Sequence, residues 1–185
     1  MASVVTTQRT TDPCGWPRED IFAIASQFAE ITHFGIGDDI EALVARSGGD
    51  IVHVDPRFDA RTATGTLEVR KDDGFTIYLP YFSSKARDRF TIAHELGHLV
   101  LHYYSRAGDV AEVERFDRDG ADLAEVEANW FAAALLMPED DFREAFTELN
   151  GDLNEIAARY GVSYAAAEVR KLTLGLETET ESHHE

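Results

Sequence analysis

The chain has a single cysteine, Cys14, among 185 residues, so it cannot close an intramolecular disulfide or build a thiolate metal cluster. Any metal it holds must rest on histidine and carboxylate. Bases are scarce as well: 17 Lys and Arg against 35 Asp and Glu leave a formal net charge of −18. Affinity for nucleic acid comes mostly from cationic side chains meeting phosphates, so this balance repels DNA unless the bases are segregated. No apolar run approaches the ~20 residues of a membrane span. The opening "MASVVTTQRTTDPCGWPRED" lacks the basic start and apolar middle of a secretory signal. A cytoplasmic protein without membrane association is the expectation.

What is present is ordinary for a folded chain. Hydrophobic residues make up 44%, enough to exclude wholesale disorder, and the length suits one domain with a real core. Residues 1–17 carry no periodicity and read as a flexible lead-in. "REDIFAIASQFAEIT" (18–32) spaces Ile21, Ile24, Phe28 and Ile31 as a helix, behind acids suited to a first turn. Asp38 and Asp39 are candidate caps for a second helix that Gly48 and Gly49 stop. "DIVHVD" (50–55) alternates as a strand. "GTLEVRKDDGFTIYLP" (65–80) reads as two strands joined at Asp73–Gly74, and Pro80 ends the second. A long helix over 85–104 follows, then a polar connection, then a helix over 121–137 that is apolar nearly all round and stops at Pro138. "EDDFREAFTEL" reads as a further helix, and 153–176 as helix, glycine turn, helix. The acidic end, 177–185, reads as a disordered tail.

The informative stretch is "RFTIAHELGHLVLH" (89–102), which contains H-E-x-x-H. Residues four apart lie one turn above each other on a helix, so His94 and His98 can direct ring nitrogens at one ion. Glu95 falls beside that ion, placed to take a proton from a water whose pKa a zinc ion lowers to about 7. Thr91, Ala93, Leu96 and Gly97 surround the motif with small or apolar groups. That points to burial, where unpaired histidines and a glutamate are costly.

His102 continues the four-residue spacing, but eight residues along a straight helix is about 12 Å, too far for one ion. A pattern with a third histidine ten residues after the first also fails, because that position is Tyr104. His102 is therefore read as structural or as a partner of a ligand. A His₂Glu site needs a glutamate from another helix, and the 121–137 helix offers Glu125 and Glu127 on nearly opposite sides. Glu125 shares a face with Asn129, an amide suited to fixing a ligand histidine, and is favoured. Glu127 is the fallback, read otherwise as a surface-facing or partner-paired acid; Glu112 and Glu114 are weaker candidates. Tyr103, Tyr104, His33 and His53 are candidates for a transition-state hydrogen bond, and nothing in the sequence chooses among them.

Three segments, "RFTIAHELGHLVLH", "EVEANWFAAALLMP" and "IAARYGVSYAAAEVRKLTLGL", resemble in order and spacing the ImmA/IrrE family of metallo-endopeptidases, over roughly residues 20–176. The resemblance implies an α+β, zincin-like domain over 18–145, with a small antiparallel sheet, an active-site helix and a second ligand helix. It implies a C-terminal helical segment over 146–176, packed on or beside that domain. It also implies one catalytic Zn²⁺ held by His94, His98 and Glu125, with Glu95 as general base. In zincins, an edge strand before the active helix pairs with the extended substrate; "FTIYL" (75–79) occupies that place here.

Members of the family cleave a DNA-binding repressor and so switch on genes. The expected partner is thus a DNA-binding repressor of the helix-turn-helix type encoded nearby, or an antitoxin-like protein, and a separate one, since no DNA-binding domain precedes the catalytic segments. The alternative is a zincin-fold module that sequesters its partner without cutting it. The C-terminal segment resembles the last helices of a helix-turn-helix. With only Arg159, Arg170 and Lys171 as bases there, it is expected to pack or grip a protein and not to bind DNA.

Overall fold

The computed structural model describes residues 7–8, 12–55, 57, 65–70, 74–105, 113–117 and 123–177. Helix α1 (Arg18–Thr32) starts after Pro17, with Glu19 and Asp20 in the first turn where acids favour the helix dipole. Helix α2 (Ile40–Arg46) is capped by Asp39, whose carboxylate accepts from the Glu41 N–H at 2.9 Å. Strands β2 (Gly49–Val54), β3 (Thr66–Arg70) and β4 (Gly74–Pro80) follow, with residues 71–73 of the expected turn outside the described residues. Helix α3 (Lys85–Gly97) begins at Ser84, whose hydroxyl accepts from the Arg87 N–H.

Strand β5 (Val113–Asp117) and a two-residue strand β1 (Thr7–Gln8) complete one five-stranded sheet of order β1-β5-β3-β4-β2. The sheet is mixed. β3 is antiparallel to β4 and β5, whereas β2 runs parallel to β4, and β1 parallel to β5. The antiparallel sheet of the sequence reading thus holds only for its centre. Two further expectations change. β4, which contains "FTIYL", is not an edge strand: β3 and β2 occupy both its sides, so it has no free backbone edge for a substrate. β5 lies within the stretch read as a polar connection, and β1 within the lead-in.

Helices α4 (Leu123–Leu136), α5 (Glu139–Glu148), α6 (Leu153–Tyr160) and α7 (Tyr164–Thr173) form the rest. α4 packs between α1 and α3, the central place its apolar sequence suggested. One hydrophobic cluster joins Leu67 and Ile77 of the sheet, Ile92 and Leu96 of α3, and Phe131 and Leu135 of α4. Phe142, Ile156, Tyr160 and Ala167 belong to the same cluster, so the C-terminal helices share the core of the sheet and α3. No helix among the described residues is long and apolar enough to cross a membrane.

Candidate metal centre

The helix read over 85–104 is not uniform. It is α-helical to Gly97 and then π-helical over His98–Tyr104, a wider winding that is often found at functional sites. His94 and His98 therefore stand on either side of this change, and both are 1% exposed. Close packing of α3 on α4 brings Glu125 to them. A Cβ on Gly97 would sit 3.1 Å from the Ala128 Cα, so the absence of a side chain there lets the helices approach.

The Glu125 carboxylate oxygens lie 3.3 Å from His94 Nε2 and 3.1 Å from His98 Nε2, and the two Nε2 atoms are 3.0 Å apart. The far sides of both rings are engaged. His94 Nδ1–H donates to Asn129 Oδ1 at 2.9 Å, which leaves His94 Nε2 as a lone pair. His98 Nδ1 is 3.0 Å from His102 Nδ1, and His102 Nε2–H donates to Glu127 Oε2 at 2.9 Å. A neutral His102 that donates through Nε2 accepts through Nδ1, so His98 Nδ1 carries the hydrogen and His98 Nε2 is also a lone pair.

Three electron-pair donors thus face one another. A shared proton holds two of them together; a tetrahedral ion holds all three. Donors 2.0–2.1 Å from such an ion lie about 3.3 Å from each other, close to the spacings here, so this donor set fits zinc. Burial alone would raise the Glu125 carboxyl, but with the shared proton on a His94 or His98 ring, that ring's hydrogen bond and charge outweigh burial and hold the group well below the usual carboxylate range.

Glu127 goes elsewhere. It is fully buried rather than surface-facing, and besides His102 it accepts from the backbone N–H groups of Cys14 at 2.9 Å and Gly15 at 2.7 Å. Burial opposes its ionisation, and these hydrogen bonds overcome that, so its pKa is lowered. Cys14, His102 and Glu127 also converge closely enough to suggest an ion, but the carboxylate already accepts three hydrogen bonds. That cluster is a clasp joining the N-terminal segment to His98.

Glu95 is 1% exposed, and its carboxylate lies against Gly65. Gly65 has φ +104, and a Cβ there would meet Glu95 Oε1 at 2.9 Å and Thr91 Cγ2 at 2.5 Å. Sequence reasoning missed both the Gly65 contact and the clasp. The glycine before "TLEV" was a visible signal for the first; the second is purely tertiary. Of the other candidates, His33 is exposed at the end of α1, His53 is exposed on β2 beside Tyr81, and Tyr104 is exposed, while Tyr103 is buried. Neither His33 nor His53 joins the donor group. Glu112 lies outside the described residues, and Glu114 sits in β5 opposite Val69.

A family model described as the IrrE N-terminal-like domain, Peptidase_M78, matches residues 57–171, more than half of the chain. The chain belongs to this family. The matched span contains both histidines, Glu95 and Glu125. Comparison with curated proteins finds no match. Among solved structures, a Mycobacterium tuberculosis transcriptional regulator is similar, with TM-score 0.57 and 18% identity over 84% of this chain. At that identity the likeness concerns the fold. The match spans 46% of the regulator, so this chain corresponds to about half of it.

Proposed function

We propose that this protein is a zinc-dependent endopeptidase whose substrate is a helix-turn-helix repressor encoded near its gene, so that cleavage relieves repression. The observation that carries the reading is the meeting of two imidazole lone pairs and a carboxylate on one side of a helix that also bears the buried Glu95. Membership of a peptidase family supports the reaction class. The regulator among its structural neighbours is in keeping with a setting in gene control.

His94, His98 and Glu125 are the residues to hold the ion, and Asn129 and His102 keep the two rings in the lone-pair tautomer. When bound, zinc supplies a Lewis acid for the scissile carbonyl and lowers the pKa of a water at the site. Glu95 takes the proton from the attacking water and returns it to the leaving amine.

The test incubates the protein, with and without zinc, with repressor-type proteins encoded beside its gene, and locates any cut by mass spectrometry. Glu95→Gln is expected to lower cleavage by about 10²–10⁴-fold. If repression is relieved equally well by that variant, the protein works by sequestering its partner and the peptidase reading is wrong.

A further inference from the structure

A second concave site lies behind the metal centre, between α1, α3, α4 and α7. Its volume is about 670 Å³, within the range of small-molecule pockets, and Phe22, Phe90, Trp130 and Val169 give it an apolar lining. Among the described residues, its charged lining is Arg87 and Arg170. In a chain with twice as many acids as bases, a site whose charges are all cationic is selective for anions.

Arg170 is the unusual residue. It is 1% exposed, and it donates from Nε to the Met137 carbonyl at 3.0 Å, with its guanidinium stacked 4.8 Å from the Phe22 ring centroid. Its Nη1 is buried with no hydrogen-bond partner, and no carboxylate among the described residues forms an ion pair with it. Burial pulls the guanidinium down to about 10, which leaves it charged at neutral pH. Glu139 favours its charge from a distance but is paired with Arg143 instead; a buried guanidinium with an unsatisfied N–H is costly, and the residue's place on the cavity wall gives a ligand the means to offset that cost.

We propose that this cavity binds a small amphipathic carboxylate, with its apolar body against Phe90, Trp130 and Val169 and its head on Arg170. A separate protein segment fits the observations less well, because the unsatisfied group is a single buried N–H on the wall of a cavity of small-molecule size. The cavity wall includes Asn129, the acceptor for His94 Nδ1, so a bound ligand stands one hydrogen bond from the metal centre on the side away from Nε2. Binding itself requires no peptidase activity.

Trp130 reports occupancy. Of the two tryptophans, Trp16 lies outside the cavity, so Trp16→Phe leaves one indole to follow. Octanoate and the uncharged octanamide are titrated into this variant and followed by emission, with calorimetry as a second measurement. Saturable octanoate binding is expected, about ten-fold or more tighter than octanamide because the head makes a charge-assisted hydrogen bond. Arg170→Met should erase that preference, and Ala166→Trp, which fills the cavity and keeps Arg170, should abolish binding of both probes. Absence of saturable octanoate binding, equal affinity for acid and amide, or a preference that survives Arg170→Met overturns the site. Should Arg170→Met not fold, octanoate binding retained by Ala166→Trp overturns it as well. None of these results bears on cleavage, so the peptidase reading is tested separately.

Discussion

Glu127 and His102 stand outside the proposed ligand set, yet they bear on it through hydrogen bonds. The chain of hydrogen bonds from Gly15 and Cys14 through Glu127 and His102 to His98 sets which nitrogen of His98 bears the hydrogen. Glu127→Gln puts an amide N–H₂ among donors and breaks that order. The variant is expected to bind zinc about 10–100-fold more weakly, as measured by competition with a chromogenic chelator, whereas Glu125→Gln loses a ligand and should fall further. Equal affinity for Glu127→Gln and the unaltered protein would sink the relay. Tyr160 offers a pH test well away from the site. Its hydroxyl is buried with no hydrogen-bond partner, and burial pushes the phenol up to about 12 from 10.0. A raised pKa means that the unfolded chain loses its proton first, so stability is intact below pH 10 and falls as pH rises toward 12. Tyr160→Phe should flatten that alkaline decline in denaturant titrations. At neutral pH it should be neutral or stabilising by up to ~1 kcal/mol, since no bond is lost and a desolvated hydroxyl is removed.

At the scale of elements, the α3–α4 contact decides whether the donors meet. Gly97→Ala raises helix propensity by about 1 kcal/mol, yet its methyl would lie 3.1 Å from both the Ala128 Cα and carbonyl oxygen and 3.3 Å from the Phe131 Cβ. Overpacking of this kind costs about 1–3 kcal/mol, so the variant should melt lower and bind zinc more weakly because His98 moves from Glu125. Unchanged melting and affinity would show that the helices adjust freely. The same pair of helices marks what could be seen in the sequence. Their apolar patterns and the stop at Pro138 were legible, and Glu125 was legible through its one-turn relation to Asn129. The π-helical turn was not, because "HLVLHYY" keeps an apolar pattern that either winding satisfies. β5 was hidden for a different reason: "VERFD" sets Val113 and Phe116 among three charged residues with no strict alternation, and its order comes from pairing with β3 and β1. β4 was misplaced at an edge because its partner β2 joins it in parallel from across a connection, and no local turn signals that pairing. Glu127 had no visible partner because Cys14 precedes it by 113 residues.

For the molecule as a whole, the two central helices bring the proposed ligands together and the N-terminal segment braces them, so the proposed site links metal affinity to folding stability. The unfolded chain has no such arrangement, and an ion that binds only the folded state stabilises it in proportion to the logarithm of its concentration. Zinc at about 1,000 times its Kd adds ~4 kcal/mol. For a chain of this size each kcal/mol moves the Tm by about 2–4 °C, so removal of zinc by a chelator should lower the melting temperature by ~8–16 °C. Three variants separate the causes of that shift in calorimetric scans. Glu125→Gln should melt at nearly the same temperature with and without zinc, because it lacks a ligand. Glu95→Gln should keep the full shift, because the proposed mechanism sets its carboxylate on the attacking water and not on the ion. Glu127→Gln should keep a reduced shift, and its hydrogen exchange at Cys14 and Gly15 should no longer slow when zinc is added, because the clasp that connects them to His98 is gone. A full zinc-dependent shift in Glu125→Gln would place the ion elsewhere, and loss of the shift in Glu95→Gln would make Glu95 a ligand instead of the base.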